Sequence, residues 1–372
     1  MRRSRFLGRA LLAPHLALAL VRSLAGRAPA RVPRRILVAH HLLLGDTLLL
    51  TALLARLRGA WPAAEIVMTV PAATAPLYEG RPYGVVAWPF DPRRPDTLRP
   101  MLARKGFDLA FVPGDNRYSW LAMALGARWI VAHDGDRPAW KNWLVDRRVP
   151  YPGVPTAWAE IVAQLAEGAD PAPYRPADWP PPSCRPFERP GRPYCVLHVG
   201  ASTPLKLWQP EKWLALADHL SRRGLAVAWS GGRGEEAIVA AIDPAGRHPS
   251  YAGRLDLAQL WHLLRDAALL VCPDTGVAHL GRLTGTPTVA LFGPGSARVY
   301  GAGEFWRDSP YRAVTVEDFP CRDQRVLFRR EVDWVRICRR SPAQCPVPAC
   351  MHAIGLEAVL EAVDRLLELE PA

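Results

Sequence analysis

The sequence predicts an α/β protein of two Rossmann-like domains facing a cleft, with a C-terminal helix. Three observations predict it. Short apolar runs alternate with helical stretches, as in parallel sheets covered by helices. The alternation stops at residues 171–193, which hold nine prolines, and then restarts. The tail, Leu356–Glu368, has helical periodicity again.

Composition agrees with two ordinary domains. The chain has 372 residues and is 49% apolar, enough to bury a sizeable core and too apolar for a disordered or collagen-like chain. No run of 18 uninterrupted apolar residues occurs, which argues against a spanning helix. The basic residues outnumber the acidic ones by 47 to 35, a net +12, which favours anionic partners. Lysine is rare: Lys105, Lys141, Lys206 and Lys212 are the four present, so each merits inspection. Seven cysteines without close pairing do not make a secreted disulfide framework.

The elements follow in order. Met1–Arg9 is basic and Ala10–Val21 is apolar apart from His15. Ala28-Pro29-Ala30 resembles a cleavage site, but Pro14 and His15 interrupt the apolar stretch. The preferred reading is a basic amphipathic arm, residues 1–33, on an anionic membrane surface; a frayed arm is the alternative. Arg35–His40 reads as a buried parallel strand, and a helix opens at Asp46-Thr47 and runs to about Arg58. Further strands are expected at Glu65–Val70, Val85–Trp88 and Leu109–Val112, completing a first domain over residues 34–170. The proline-rich stretch, 171–193, reads as a linker. A second domain over 194–355 follows. Its expected strands are Cys195–Val199, Ala226–Ser230, Leu269–Cys272 and Thr288–Phe292; its helices are Pro210–Arg223, Glu235–Ile242, Leu257–Arg265 and Val277–Thr284. Residues 356–372 form the last helix.

Several strand ends carry turns that suit an anion. Gly200-Ala201-Ser202-Thr203-Pro204-Leu205-Lys206 combines small hydroxyl residues with a rare lysine, a plausible diphosphate cradle. An ordinary solvated loop would read the same way. Pro273-Asp274-Thr275-Gly276-Val277-Ala278-His279 follows the next strand; Asp274 is placed as an N-cap and Gly276 permits close backbone approach. Ser230-Gly231-Gly232-Arg233-Gly234-Glu235-Glu236 offers an acid for ribose hydroxyls. In the first half, Leu44-Gly45-Asp46 ends the matching loop, and Asp46 is either an N-cap or a general base.

These stretches together resemble glycosyltransferase family 9, the lipopolysaccharide heptosyltransferases. Three segments carry the resemblance: Leu44-Gly45-Asp46 with Arg58-Gly59-Ala60-Trp61-Pro62; Gly200-Ala201-Ser202 with Lys206, Trp208 and Glu211-Lys212-Trp213; and Asp274-Thr275-Gly276 with His279-Leu280, Gly285-Thr286-Pro287 and Phe292-Gly293-Pro294. The resemblance implies a GT-B fold and inverting, metal-independent transfer of heptose from ADP-heptose to a lipid A–Kdo type core. It puts the base on Asp46 and the phosphate-binding lysine on Lys206. Ser202, Asp274, Thr275 and Gly276 support the diphosphate, Glu235 or Glu236 the ribose, and His279 the pocket wall. Arg81 and Arg117 are candidates for acceptor phosphates. No cofactor is implied, and the expected location is peripheral, on the cytoplasmic side of the inner membrane.

Leu42, Leu43 and Leu44 stand where the family commonly has small polar residues, and His40 and His41 where it often has arginine or lysine; both bear on the acceptor. His133-Asp134-Gly135-Asp136 reads as a turn rather than a metal pair. Cys321, Cys338, Cys345 and Cys350, with His352, lack a close Cys-x-x-Cys knuckle, so no metal is expected. A nucleic-acid binder is suggested by charge alone and lacks a recognisable module. The alternatives kept are the same fold with another sugar nucleotide or acceptor, and a nucleotide-binding scaffold without catalysis.

Overall fold

A computed structural model describes residues 5–23, 26–191 and 193–368. Parts of the expected arm, linker and terminal helix (1–4, 24–25, 192 and 369–372) lie outside it. The chain forms two compact units.

The first unit comprises residues 1–154, 158–172 and 326–333. It begins with α1 (Arg5–Ser23), which continues through Pro14. The sheet consists of β1 (Arg35–Val38), β2 (Glu65–Val70), β3 (Val85–Pro89), β4 (Leu109–Val112), β5 (Ile130–His133) and β6 (Arg147–Val149). Its order is β3-β2-β1-β4-β5-β6, all parallel. Both faces are buried, which is why β1 reads Ile-Leu-Val without polar alternation. Leu37, Val67 and Ala110 share one core with α4 (Leu98–Ala103) and α5 (Tyr118–Ala124). Leu11, Leu12, Leu16 and Ala19 of α1 pack on that core, so the described part of the arm is a docked helix rather than a frayed one. Elsewhere α2 (Leu44–Leu49) leads into α3 (Thr51–Ala60), which packs on α6 (Trp158–Ala163).

The second unit comprises residues 155–157, 173–325 and 334–372. Its parallel sheet has the order β11-β10-β9-β7-β8. The strands are β7 (Tyr194–His198), β8 (Ala226–Ser230), β9 (Leu269–Pro273), β10 (Thr288–Phe292) and β11 (Tyr311–Thr315). Its helices are α7 (Pro210–Arg222), α8 (Glu236–Ile242), α9 (Leu257–Arg265), α10 (Gly276–Thr284), α11 (Ala297–Tyr300), α12 (Ala349–His352) and α13 (Leu356–Leu367). α7, α8 and α13 bury their apolar stripes against one face of the sheet around Trp213, Trp229 and Val363. Asp256 and Gln259 form a reciprocal capping box at the start of α9.

Four expectations need correction. The helix expected from Asp46 starts at Leu44 and is interrupted at Leu50, so Asp46 sits within the first turn and is not the cap. The N-cap of α10 is Thr275, whose hydroxyl accepts from the Val277 amide at 3.3 Å; Asp274 is drawn to a cation instead. The described part of 173–193 does not hang free: Trp179 is 1% exposed, the Tyr174 hydroxyl donates to the Leu283 carbonyl, and Arg189 pairs with Asp266. Finally, β12 (Val326–Leu327) and β13 (Arg330–Glu331) form a hairpin that belongs to the first unit, not to the domain holding its flanking residues.

Candidate active site

In the first unit the site is built at the carboxyl end of β1. His40 is fully buried there. Its amide donates to the Thr69 hydroxyl at 2.7 Å, which donates in turn to the His40 carbonyl at 2.7 Å. The Leu42 amide donates to His40 Nδ1 at 3.2 Å, so the imidazole must be the tautomer with Nδ1 unprotonated. Burial, with a smaller contribution from His41, holds the His40 pKa down at about 3, and the ring is neutral. This fixes the loop that delivers Asp46. The Asp46 carboxylate is half-buried in the first turn of α2, where the exposed amide ends favour negative charge.

Tyr151 lies within electrostatic reach of Asp46; burial is the main reason its hydroxyl is held above the usual tyrosine range. The Arg330 guanidinium lies over the Tyr151 ring at 5.4 Å. Arg330 is 3% exposed and comes from the hairpin. It donates to the Gly114 carbonyl at 2.6 Å, to Asn116 Oδ1 at 2.7 Å and to the Asp134 carbonyl at 2.6 Å. Asp136 stands 3.9 Å from it and pairs with buried Lys141 at 3.0 Å. That pairing explains the His133-Asp134-Gly135-Asp136 stretch as structure: the Asp136 carboxylate is committed to Lys141 and the Asn116 amide. The hairpin tip is strained, since Phe328 and Arg329 have φ of 45° and 64°, values natural to glycine or asparagine. Phe328 stacks on Trp158 at 4.2 Å, which holds the tip in place. Sequence reasoning missed Tyr151 and Arg330; no motif marks either, and Arg330 lies far along the chain from its partners.

Arg117 is drawn to Asp115 at 2.6 Å, and that partner raises its pKa. Arg81 is exposed, in a left-handed conformation (φ 50°) before Pro82. The structure does not bring Arg81 and Arg117 into one cluster through any shared partner among the described residues.

In the second unit the candidates converge. Lys206 Nζ donates to Asp274 Oδ2 at 2.7 Å and to the Asp274 carbonyl at 2.6 Å. An ammonium has three N–H bonds, so one remains for a ligand. His279 is buried one turn into α10, and burial, then the charges of Arg282 and Lys206, drive its pKa well below the usual value. Its ring is therefore neutral. Glu235 lies against Gly200: a methyl on that glycine would stand 1.7 Å from the carboxylate, which also accepts from the Gly232 amide. Glu236 points elsewhere, against Gly253. Ser202 is exposed on the same loop as Gly200. The Asp274 carboxylate also abuts Gly295, where a side chain would collide with it at 2.2 Å. Two other lysines are structural: Lys141 is the ion-paired residue above, and Lys212 donates to the carbonyls of His352 and Ile354.

The seven cysteines are free thiols. No group of three or more His, Cys, Asp or Glu arranged to hold a metal occurs among the described residues. Cys321 and Cys350 are raised by burial first and then by neighbouring thiols of the same tail.

A family model for glycosyltransferase family 9 (heptosyltransferase) matches residues 97–313, more than half of the chain. The chain belongs to glycosyltransferase family 9. It is 33% identical over 136 residues to lipopolysaccharide heptosyltransferase 1 of Pseudomonas aeruginosa. That stretch covers 36% of this chain and 36% of the relative, so the match spans about a third of either protein. Among solved structures, the fold is like that of E. coli ADP-heptose lipopolysaccharide heptosyltransferase II, with a TM-score of 0.65 and 19% identity over 91% of this chain and 100% of the other. An E. coli heptosyltransferase solved with ADP gives a TM-score of 0.65 and 16% identity over 89% of this chain and 99% of the other. These likenesses make the family 9 fold GT-B, with two Rossmann-like domains.

Proposed function

We propose that this family 9 protein transfers heptose from ADP-heptose to a phosphorylated lipid-core acceptor of lipopolysaccharide, with inversion. The observation that carries the donor reading is the Lys206–Asp274 pair at the start of α10, with Glu235 beside Gly200 on the neighbouring loop. The relatives add support, since one is named for ADP-heptose and another is solved with ADP.

Each group has a role in the proposal. Lys206, the Ser202 loop and the Thr275-Gly276 turn offer N–H and O–H donors to a diphosphate, whose charge rises as the glycosidic bond breaks. Asp274 orients Lys206 and prevents its ammonium from swinging away. Glu235 is the ribose acid, because its neighbours are the phosphate-loop glycines, whereas Glu236 faces Gly253. His279, being neutral and buried, shapes the pocket and adds no charge. Asp46 takes the proton from the acceptor hydroxyl as that oxygen attacks the anomeric carbon; ADP departs with the bonding pair. One displacement needs one base and no covalent intermediate. Arg81 and Arg117 are assigned to acceptor phosphates.

No described helix is long and apolar enough to cross a membrane. The proposed location is peripheral, at the cytoplasmic face of the inner membrane, with α1 against the anionic surface. Phe6, Leu7, Leu18 and Val21 of α1 are exposed apolar residues that support this.

The test is ADP release from ADP-heptose, compared with UDP- and GDP-sugars, with lipid-core extract as acceptor. Acceptor-dependent release from the heptose donor, lost in Asp46→Ala, is expected. Release from another donor replaces the sugar; none from any donor, with ADP still bound, means a scaffold.

A further inference from the structure

The first unit carries an apolar groove whose lining, apart from Arg117, has no part in the transfer chemistry above. It has a volume of about 710 Å³, in the range of sites that enclose a whole small ligand. One wall is α1, through Leu12 and Leu16; the other is formed by Phe90, Tyr118, Trp120 and Trp140. The aromatic wall is ordered by edge-to-face contacts, Phe90 on Tyr118 at 6.0 Å and Trp120 on Trp140 at 6.1 Å. At Gly8 the helix approaches the segment after β3 so closely that an added methyl would meet the Pro92 carbonyl at 3.3 Å. Trp120 contributes a buried indole N–H that has no hydrogen-bond partner among the described residues.

The charge around the groove is one-sided. Arg9, Arg93 and Arg117 line it with a single acid, Asp91; Arg117 is paired with Asp115, which leaves Arg9 and Arg93 as the cations for a ligand. Asp91 is already engaged, since its carboxylate accepts from the Arg93 amide at 2.8 Å. An apolar slot with cationic residues and a spare N–H donor fits an amphiphile with an anionic head. His41 also lines the groove, and it begins the loop that delivers Asp46.

We infer that this groove binds an acyl chain of the anionic lipid acceptor, with the lipid's phosphate at Arg93 and Arg9, so that the sugar to be modified lies on the Asp46 loop. The identity of the lipid as the acceptor rests on the transfer reading above; the groove's affinity for an anionic single-chain lipid does not.

The experiment titrates the full chain with monomeric lysophosphatidic acid, followed by tryptophan fluorescence and calorimetry, with lysophosphatidylcholine as the zwitterionic control. Saturable one-to-one binding is expected, weaker by roughly tenfold for the control and for Arg93→Gln, as for loss of one charge-assisted contact. Trp140→Ser should weaken it as well. Arg93 and Trp140 are exposed, so both variants should fold; thermal melting checks this. Absence of saturable binding, equal affinity for both lipids, or unchanged affinity in both variants overturns the inference. A parallel transfer assay separates the two readings. Lipid binding in this pattern without transfer to any acceptor removes the enzyme reading and leaves the groove. Transfer equally fast to intact and deacylated acceptor removes the groove's role and leaves the enzyme.

Discussion

Lys206 and Asp274 hold each other by two contacts, one to the carboxylate at 2.7 Å and one to the backbone carbonyl at 2.6 Å. They come from different strand ends, and both are largely shielded from water. These two contacts leave one of the three ammonium N–H bonds for a ligand.

Lys206→Gln should therefore weaken ADP binding by about 10- to 100-fold, the value of a charge-assisted hydrogen bond. It should also lower the melting temperature, because it leaves the Asp274 carboxylate without its counter-charge. The double variant Lys206→Gln/Asp274→Asn separates the effects. It should recover part of the stability and none of the ADP affinity. Calorimetric titration with ADP and thermal melts read the two outcomes; full recovery of affinity in the double variant would exclude a direct role for Lys206.

Asp46→Asn keeps the size of the side chain and removes the base. The expected loss in kcat is about 10²- to 10⁴-fold, with ADP affinity unchanged, because Asp46 belongs to the first unit and the ADP-binding candidates to the second. A drop in ADP affinity equal to the drop in rate would mean that Asp46 serves the donor instead.

The sequence showed most of the central strands and the candidate phosphate loops because these are local signals. β1, β2, β7 and β9 are short runs dominated by apolar residues, and each loop lies at a strand end. It did not show β5, whose His133 reads as the start of the turn that follows, nor the pair β6 and β11. Both are edge strands: Arg147-Arg148-Val149 and Tyr311-Arg312-Ala313-Val314-Thr315 carry charge where solvent reaches them. Asp274 was misread for a similar reason. Its position before a helix looks like a cap, and only the fold brings Lys206 to it. Arg330 and Tyr151 were invisible because their partners are brought in by tertiary contact. The proline-rich segment misled in the other direction: proline blocks regular structure but does not prevent packing, and Trp179 and Tyr174 are buried.

Arg330 is expected to be a stability residue of the first unit. Its guanidinium serves four backbone carbonyls, Asn116 and the Asp136 field at once. Arg330→Met leaves those acceptors buried and unpaired, at a cost of about 3–5 kcal/mol. Arg330→Lys should rescue little, because a single ammonium cannot reproduce the planar fork. Urea unfolding of the three proteins checks this; a lysine variant as stable as the wild type would show that charge alone suffices.

Stability should fall steeply as the pH drops from about 6.5 towards 4. His40 and His133 are held near 3 and His198 near 4, each chiefly by burial. Their folded pKa values lie below that of an unfolded histidine. Above pH 6.5 both states are neutral and pH has no effect through these groups. Below it the unfolded chain takes up protons that the folded chain refuses, so unfolding is favoured as acid is added. Each histidine contributes up to about 1.4 kcal/mol per pH unit in that window. Urea midpoints at pH 7.5, 6.0 and 5.0 should fall accordingly. His279 behaves in the same way, so His133→Gln, which cannot titrate, should reduce the slope by about a quarter, the share of one of four such groups. A midpoint constant from pH 7.5 to 5.0 would mean that these imidazoles are reached by water and protonate in place.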